Sequence, residues 1–207
     1  VGEVWVCSGQ SNMGWPLASC VDGPKTAAAA GDPQLRLFNA HARVANEPSE
    51  SIGGGWVVDA QDHALRFSGV AYFFGLELRK KLGVPVGLIK SAVGGTVAEA
   101  WTPVEDLQSN PTLKPLLDQQ ARAIENYPKA LDDYKAMEAE LLAKYQAELT
   151  KYAALSEAEK NKTRAPRKPA PPTHPTYNPN RPFGLYNGSI APLVPYAMRG
   201  VVWYQGE

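Results

Sequence analysis

At 207 residues the chain is long enough for one domain with a buried core and short for two. Hydrophobic residues make up 44% and charged residues 20%, the proportions of an ordinary globular domain. Lys and Arg together number 21, as do Asp and Glu, so no charge surplus points to nucleic acid or an anionic membrane as a partner, and no apolar run approaches the roughly 20 residues that span a bilayer.

The chain opens on Val1-Gly2-Glu3-Val4-Trp5-Val6-Cys7, within which Val4–Ser8 reads as a short buried strand. No signal peptide is visible in it, which says little about export where the N-terminus is read as truncated. A protein seldom begins inside a strand, and Glu207 falls inside a motif, so both ends are read as internal to a longer protein. Cys7 is expected as a buried free thiol and Cys20 as an incidental one. A disulfide between them is the alternative in an oxidising compartment.

Residues 1–107 alternate strand-like and helix-like segments. Gln34–Asn39 alternates as a second strand. Phe67–Leu82 places Val70, Phe73, Phe74, Leu76, Leu78 and Leu82 at helical spacing and stops at Gly83 and Pro85. Pro85–Ser91 reads as a third buried strand. Short apolar strands separated by a helix predict a parallel sheet with helices on its faces.

Residues 112–160 are rich in Ala, Leu, Glu, Lys and Gln. Leu131, Tyr134, Leu141, Tyr145, Leu149, Tyr152 and Leu155 recur at three- and four-residue steps. This predicts a long amphipathic helical insertion, a hairpin broken near Pro128, shielding one edge of the site. Residues 161–182 form a basic, proline-rich stretch expected as an extended surface loop. Arg199–Tyr204 then reads as a fourth buried strand.

Chemistry concentrates where strands end. Cys7-Ser8-Gly9-Gln10-Ser11-Asn12-Met13 follows the first strand directly. A serine at that place stands at the carboxyl edge of the sheet, where open α/β sheets bind ligands. Gly9 permits the tight turn, and the residues after it can begin a helix whose N-terminus favours negative charge. The Ser11 hydroxyl can attack an acyl carbon while its own N–H faces a developing oxyanion. Capping a helix is the other use of a serine there. With Met13 two positions on, this is not the Gly-x-Ser-x-Gly elbow.

Two further strand-end blocks match it. Ser91-Ala92-Val93-Gly94-Gly95-Thr96 ends in paired glycines that let a backbone N–H approach a ligand, as any glycine-rich turn could. Trp203-Tyr204-Gln205-Gly206-Glu207 ends the fourth strand in a side-chain amide. Removing such a donor from an oxyanion site raises the barrier by roughly 3–4 kcal/mol.

Gly2 through Met13, Gly94-Gly95-Thr96 with Glu99-Ala100-Trp101, Leu185-Tyr186-Asn187-Gly188, and Trp203 through Glu207 together resemble the sialate O-acetylesterase family of SGNH hydrolases. The blocks stand in the family's order and span most of the chain apart from the insertion. The resemblance implies an α/β fold, a flavodoxin-like three-layer α/β/α sandwich with a parallel sheet. It implies Ser11 as nucleophile, Gly95 (or else Gly94) as a second oxyanion N–H, and Gln205 as a side-chain donor. No metal and no organic cofactor is implied.

Gln10, Asn12, Gly94 and Glu207, from the same blocks, are expected at the substrate, with Trp15 and Trp101 lining an open sugar side. The expected substrate is an O-acetylated sugar or glycan, O-acetylated sialic acid first. An acetylxylan or other polysaccharide acetylesterase is one alternative, a non-catalytic carbohydrate-binding descendant another. The family's general base is a histidine of an Asp-x-x-His type motif near the C-terminus, which these residues lack. His41, His63 and His174 read as surface or loop residues. The C-terminal segment of the same protein is therefore an expected partner of the site. The family's usual substrates imply a secreted, periplasmic or lysosomal location.

Overall fold

A computed structural model describes residues 2–206. They fall into two compact units, one running to Leu117 and resuming at Thr176, the other Asp118–Pro175.

The first unit is built on a five-stranded sheet: β1 Glu3–Gly9, β2 Leu35–Asn39, β3 Trp56–Val58, β4 Val86–Ala92 and β5 Gly200–Tyr204. The order across the sheet is β3-β2-β4-β1-β5. Every pairing is parallel except that of β2 with β3. The α/β fold with a largely parallel sheet is thus as expected, with a short antiparallel edge strand added. In its register Gly9 lies opposite Ala92 of β4 and Tyr204 of β5. Three strands therefore end at one level.

Side-chain alternation sorts the strands between two faces. Cys7, Leu35, Leu37, Val86 and Leu88 pack on one face beneath Met13, Leu17, Ala27, Ala64, Phe67, Ala71 and Tyr72. Those partners come from α1 Ser11–Gly14, α2 Gly23–Ala28, α3 Gln61–Arg66, α4 Gly69–Leu82 and the turns between them. Val6 and Ile89 point the other way, against Leu193, with Val4, Phe38, Ile52 and Met198 around them. The helix α4 follows its pattern closely. Ser68 caps it, accepting from the Ala71 N–H at 3.1 Å, and Gly83 ends it at φ +66°.

Three expectations are corrected. The stretch 114–153 is one helix, α6 Lys114–Ala153, after a short α5 Val104–Ser109, and Pro128 lies inside it without breaking it. The helix buries no residue fully, so the carbonyl that Pro128 deprives of a donor can turn to water. A further turn, α7 Glu157–Lys160, starts on a Ser156–Glu159 capping box. Secondly, the proline-rich stretch is surface only in part. Arg181 is 5% exposed, donates to Asn46 Oδ1 and to the Thr176 carbonyl at 3.1 Å, and lies over the Phe183 ring. Thirdly, β5 is the edge of the sheet among the described residues, with Val201, Trp203 and Tyr204 about half exposed rather than buried.

Both cysteines are free. Cys7 is fully buried, and burial pushes its thiol up to about 12.

Candidate active site

The segments that leave β1 and β4, two adjacent strands, go to opposite faces of the sheet. After β1 the chain enters α1, packed on the helical face through Met13. After β4 it passes through the 3-10 turn Ala98–Trp101, and the Trp101 ring stands edge-on to Trp203 at 5.5 Å. Trp203 shares its face with Val6 and Val201. Where neighbouring strands send their chains apart, a crevice opens beyond the carboxyl ends.

Ser11 stands at that crevice. It is exposed and is the first residue of α1. The cap position belongs to Gln10, and no side chain caps the helix. The capping use of Ser11 is thus not realised, and the free N–H groups of the first turn point out with their partial positive charge. Gly9 makes the turn possible. Its φ is +130°, and a Cβ there would overlap the Tyr204 carbonyl oxygen.

The second turn closes on the same serine. The Val93 N–H donates to the Gly9 carbonyl at 3.1 Å. A Cβ on Gly94 would lie 3.3 Å from Ser11 Cβ and 3.6 Å from its Cα. Gly94 is therefore the glycine packed on Ser11, while Gly95 supplies the left-handed bend at φ +69°.

The third block is tied to both. The Gln10 N–H donates to the Tyr204 carbonyl at 3.1 Å, and the Gly206 N–H to Gln10 Oε1 at 3.0 Å. Gln205 Nε2 donates to the Thr96 carbonyl at 2.7 Å, which commits one of its two N–H groups and leaves the other. Its Oε1 is buried without a partner among the described residues.

Gln10, expected at the substrate, is 5% exposed and works as a strut. Trp101 is buried as well. It is 5% exposed, and its Nε1–H donates to Thr96 Oγ1 at 2.9 Å. Its ring packs with Leu185 and Ala100 in one buried cluster. Asn12 and Trp15 are exposed. Glu207 lies outside the described residues.

Of the histidines, His63 Nδ1 is 3.1 Å from the Val58 carbonyl. His41 follows β2, its N–H on the Gly53 carbonyl. His174 packs edge-on to Tyr127 in the second unit.

Sequence reasoning gave Thr96 no role of its own, yet it links the blocks. It is fully buried, donates to the Val93 carbonyl at 2.8 Å, and accepts from Trp101 and, through its backbone, from Gln205. Its place after the glycine pair was the signal. Asn187 of the Leu185–Gly188 block is another. Its amide donates to the Asn46 carbonyl at 2.9 Å and its carbonyl accepts from the Ser49 N–H. Ser189 similarly holds Arg43 by its N–H and carbonyl, so the loop after β2 is laced to the segment before β5.

The sheet and its three strand-end turns define an open, largely parallel α/β scaffold with a serine at the carboxyl ends of its strands. A sequence model described as carbohydrate esterase, sialic acid-specific acetylesterase matches residues 1–150, and the chain belongs to that family. It is 26% identical to the sialate O-acetylesterase of Rattus norvegicus, matched over the whole chain and 35% of that protein. It is 27% identical to the Mus musculus sialate O-acetylesterase, with the same coverage. A crystal structure of a carbohydrate acetylesterase from Xanthomonas citri superposes with a TM-score of 0.64 at 30% identity, over 100% of this chain and 32% of that one. The chain thus spans about a third of the length of these relatives.

Proposed function

We propose that this chain carries the nucleophile and oxyanion side of a carbohydrate O-acetylesterase, with sugar acetyl esters, those of sialic acid first, as substrates. The observation that carries the reading is the packing of Gly94 on Ser11. It brings two strand-end turns onto one exposed hydroxyl at the mouth of the crevice.

Ser11 Oγ attacks the acetyl carbonyl carbon, and the carbonyl electron pair moves onto oxygen. The oxyanion lies at the uncapped start of α1, where the Ser11 N–H is directed. The Gly95 N–H and the second N–H of Gln205 complete the hole. The tetrahedral species then expels the sugar alkoxide, which takes the proton that left Ser11. Water attacks the acetyl-serine, releases acetate and restores the hydroxyl. A histidine from a segment beyond Glu207 moves the proton in both halves, in line with relatives about three times as long. Membership of the acetylesterase family supports the acyl class.

Ser11→Ala in the full-length protein is expected to lower kcat on 4-nitrophenyl acetate by at least about a thousandfold, with the fold intact. It should also abolish labelling by a fluorophosphonate. Retention of wild-type turnover by this variant would remove the assignment.

A further inference from the structure

Gln205 is tied on both sides and through its amide. Before it, the Tyr204 carbonyl accepts from the Gln10 N–H at 3.1 Å, and after it the Gly206 N–H donates to Gln10 Oε1 at 3.0 Å. Gln10 directly precedes Ser11, so the backbone around Gln205 is fixed relative to the nucleophile turn. The remaining tie is the side chain, whose Nε2 donates to the Thr96 carbonyl at 2.7 Å.

That bond decides which end of the amide faces where. A carboxamide has a donor end and an acceptor end of nearly the same shape, whereas a backbone carbonyl only accepts. Turned over, Gln205 would set Oε1 against the Thr96 carbonyl, two acceptors in contact. An oxyanion needs the donor end, and an amide presenting Oε1 would repel it. The Thr96 carbonyl is fixed in turn by its own side chain. Thr96 is fully buried, its Oγ1 donating to the Val93 carbonyl at 2.8 Å and accepting from the Trp101 indole N–H at 2.9 Å. The first bond closes the turn that carries Gly94 and Gly95, and the second ties that turn to the 3-10 segment after it. The Trp101 ring also stands edge-on to Trp203, in the strand that ends just before Gln205. Both partners of the Gln205–Thr96 bond are therefore braced by one indole.

We infer that Thr96 is a positioning residue for the oxyanion hole, holding the Gln205 amide so that its nitrogen and not its oxygen serves the developing charge. Thr96 touches no reacting atom. It acts by placing one carbonyl, and its hydroxyl keeps that carbonyl in place. A buried amide with a single fixed orientation needs no reorganisation when the oxyanion forms, and that is where such a donor gains its effect. An amide free to turn would spend part of its time with the wrong end forward. The inference rests on Ser11 and Gln205 having the roles proposed above, and its test separates the two.

The test is a double-mutant cycle on kcat for 4-nitrophenyl acetate in full-length protein. Gln205→Ala is expected to lower kcat about a hundredfold or more. Thr96→Val, which keeps the carbonyl and loses the hydroxyl, should lower kcat about tenfold, with KM within about twofold of wild type. Thr96→Ser, which keeps the hydroxyl, should hold kcat within about threefold of wild type. In Gln205→Ala protein the Thr96→Val change should cost less than about threefold, because the group it positions is gone. If Thr96→Val does not fold, Thr96→Ala takes its place in the cycle. Wild-type kcat without the hydroxyl overturns the role of Thr96 and leaves Ser11 and Gln205 as assigned. A loss equal in both backgrounds does the same, as does a Thr96→Ser protein as slow as Thr96→Val. Failure of the underlying assignments shows separately, as turnover retained by Ser11→Ala or by Gln205→Ala, and takes the positioning role with it.

Discussion

Gly94 and Gly95 are neighbours in the same turn and do different work. Gly95 adopts φ +69° with open space where a Cβ would stand, so a side chain there is resisted by backbone conformation alone. Gly94 has no such conformation, and what it lacks room for is Ser11. Gly94→Ala is therefore expected to change stability by less than about 1 kcal/mol, while displacing Ser11 by a few tenths of an ångström. A shift of that size in the attacking group should lower kcat on 4-nitrophenyl acetate about tenfold. Thermal melts and steady-state kinetics on one preparation separate the two effects. The sequence shows two glycines after a strand and cannot rank them, because their difference is a contact with a residue more than 80 positions away.

At the scale of elements, the loop before β2 is anchored by carboxylates. Asp59, 4% exposed, accepts from the Gly31 and Asp32 N–H groups and from the Tyr72 hydroxyl at 2.8 Å. Asp32 in turn accepts from Arg79 Nε at 2.7 Å, joining that loop to the last turn of α4. The Arg79 hydrogen bond, aided by the Gln34 N–H and opposed by burial, holds the Asp32 carboxyl below its ordinary 3.8. With the folded value depressed, the contribution is complete above the unfolded value and is lost as pH falls through the folded one. The stability gap between wild type and Asp32→Asn should accordingly be constant near neutrality and shrink below about pH 4. Urea titrations from pH 7 down to pH 3 measure it, and a gap independent of pH would mean that the ion pair contributes nothing.

The helix from residue 114 to 153 shows another limit of local reading. Its periodicity was plain in Leu131, Tyr134, Leu141 and Tyr145, and the helix is there. Pro128 suggested a break because a proline removes one donor and crowds the preceding turn. Nothing local says whether the chain on either side will continue in one line.

At the scale of the molecule, residues 118–175 form a unit of their own. Its two ends approach each other, since Gln120 Nε2 donates to the Pro175 carbonyl at 3.3 Å. Replacing 118–175 by a short Gly-Ser linker closes a small gap, and loop-closure entropy grows slowly with length. The excised full-length protein is expected to melt within about 5 °C of wild type and to keep its 4-nitrophenyl acetate turnover. A collapse of the melting temperature on excision would show that the unit helps hold the sheet together.

The sequence alone determined the elements whose forces are local. The strands Val4–Ser8 and Pro85–Ser91, the helix stopped by Gly83, and the serine directly after a strand follow from periodicity and turn chemistry. The order of the blocks was also enough to point to the family that now matches residues 1–150. Tertiary structure decided the rest. It buried Trp101 and Gln10, put β5 at an edge of the sheet among the described residues, and seated Gly94, rather than Gly95, on Ser11. Each of these turns on which distant segment lies against a residue. Burial and close approach are set by pairing across the sheet, between residues that have no local signal of one another.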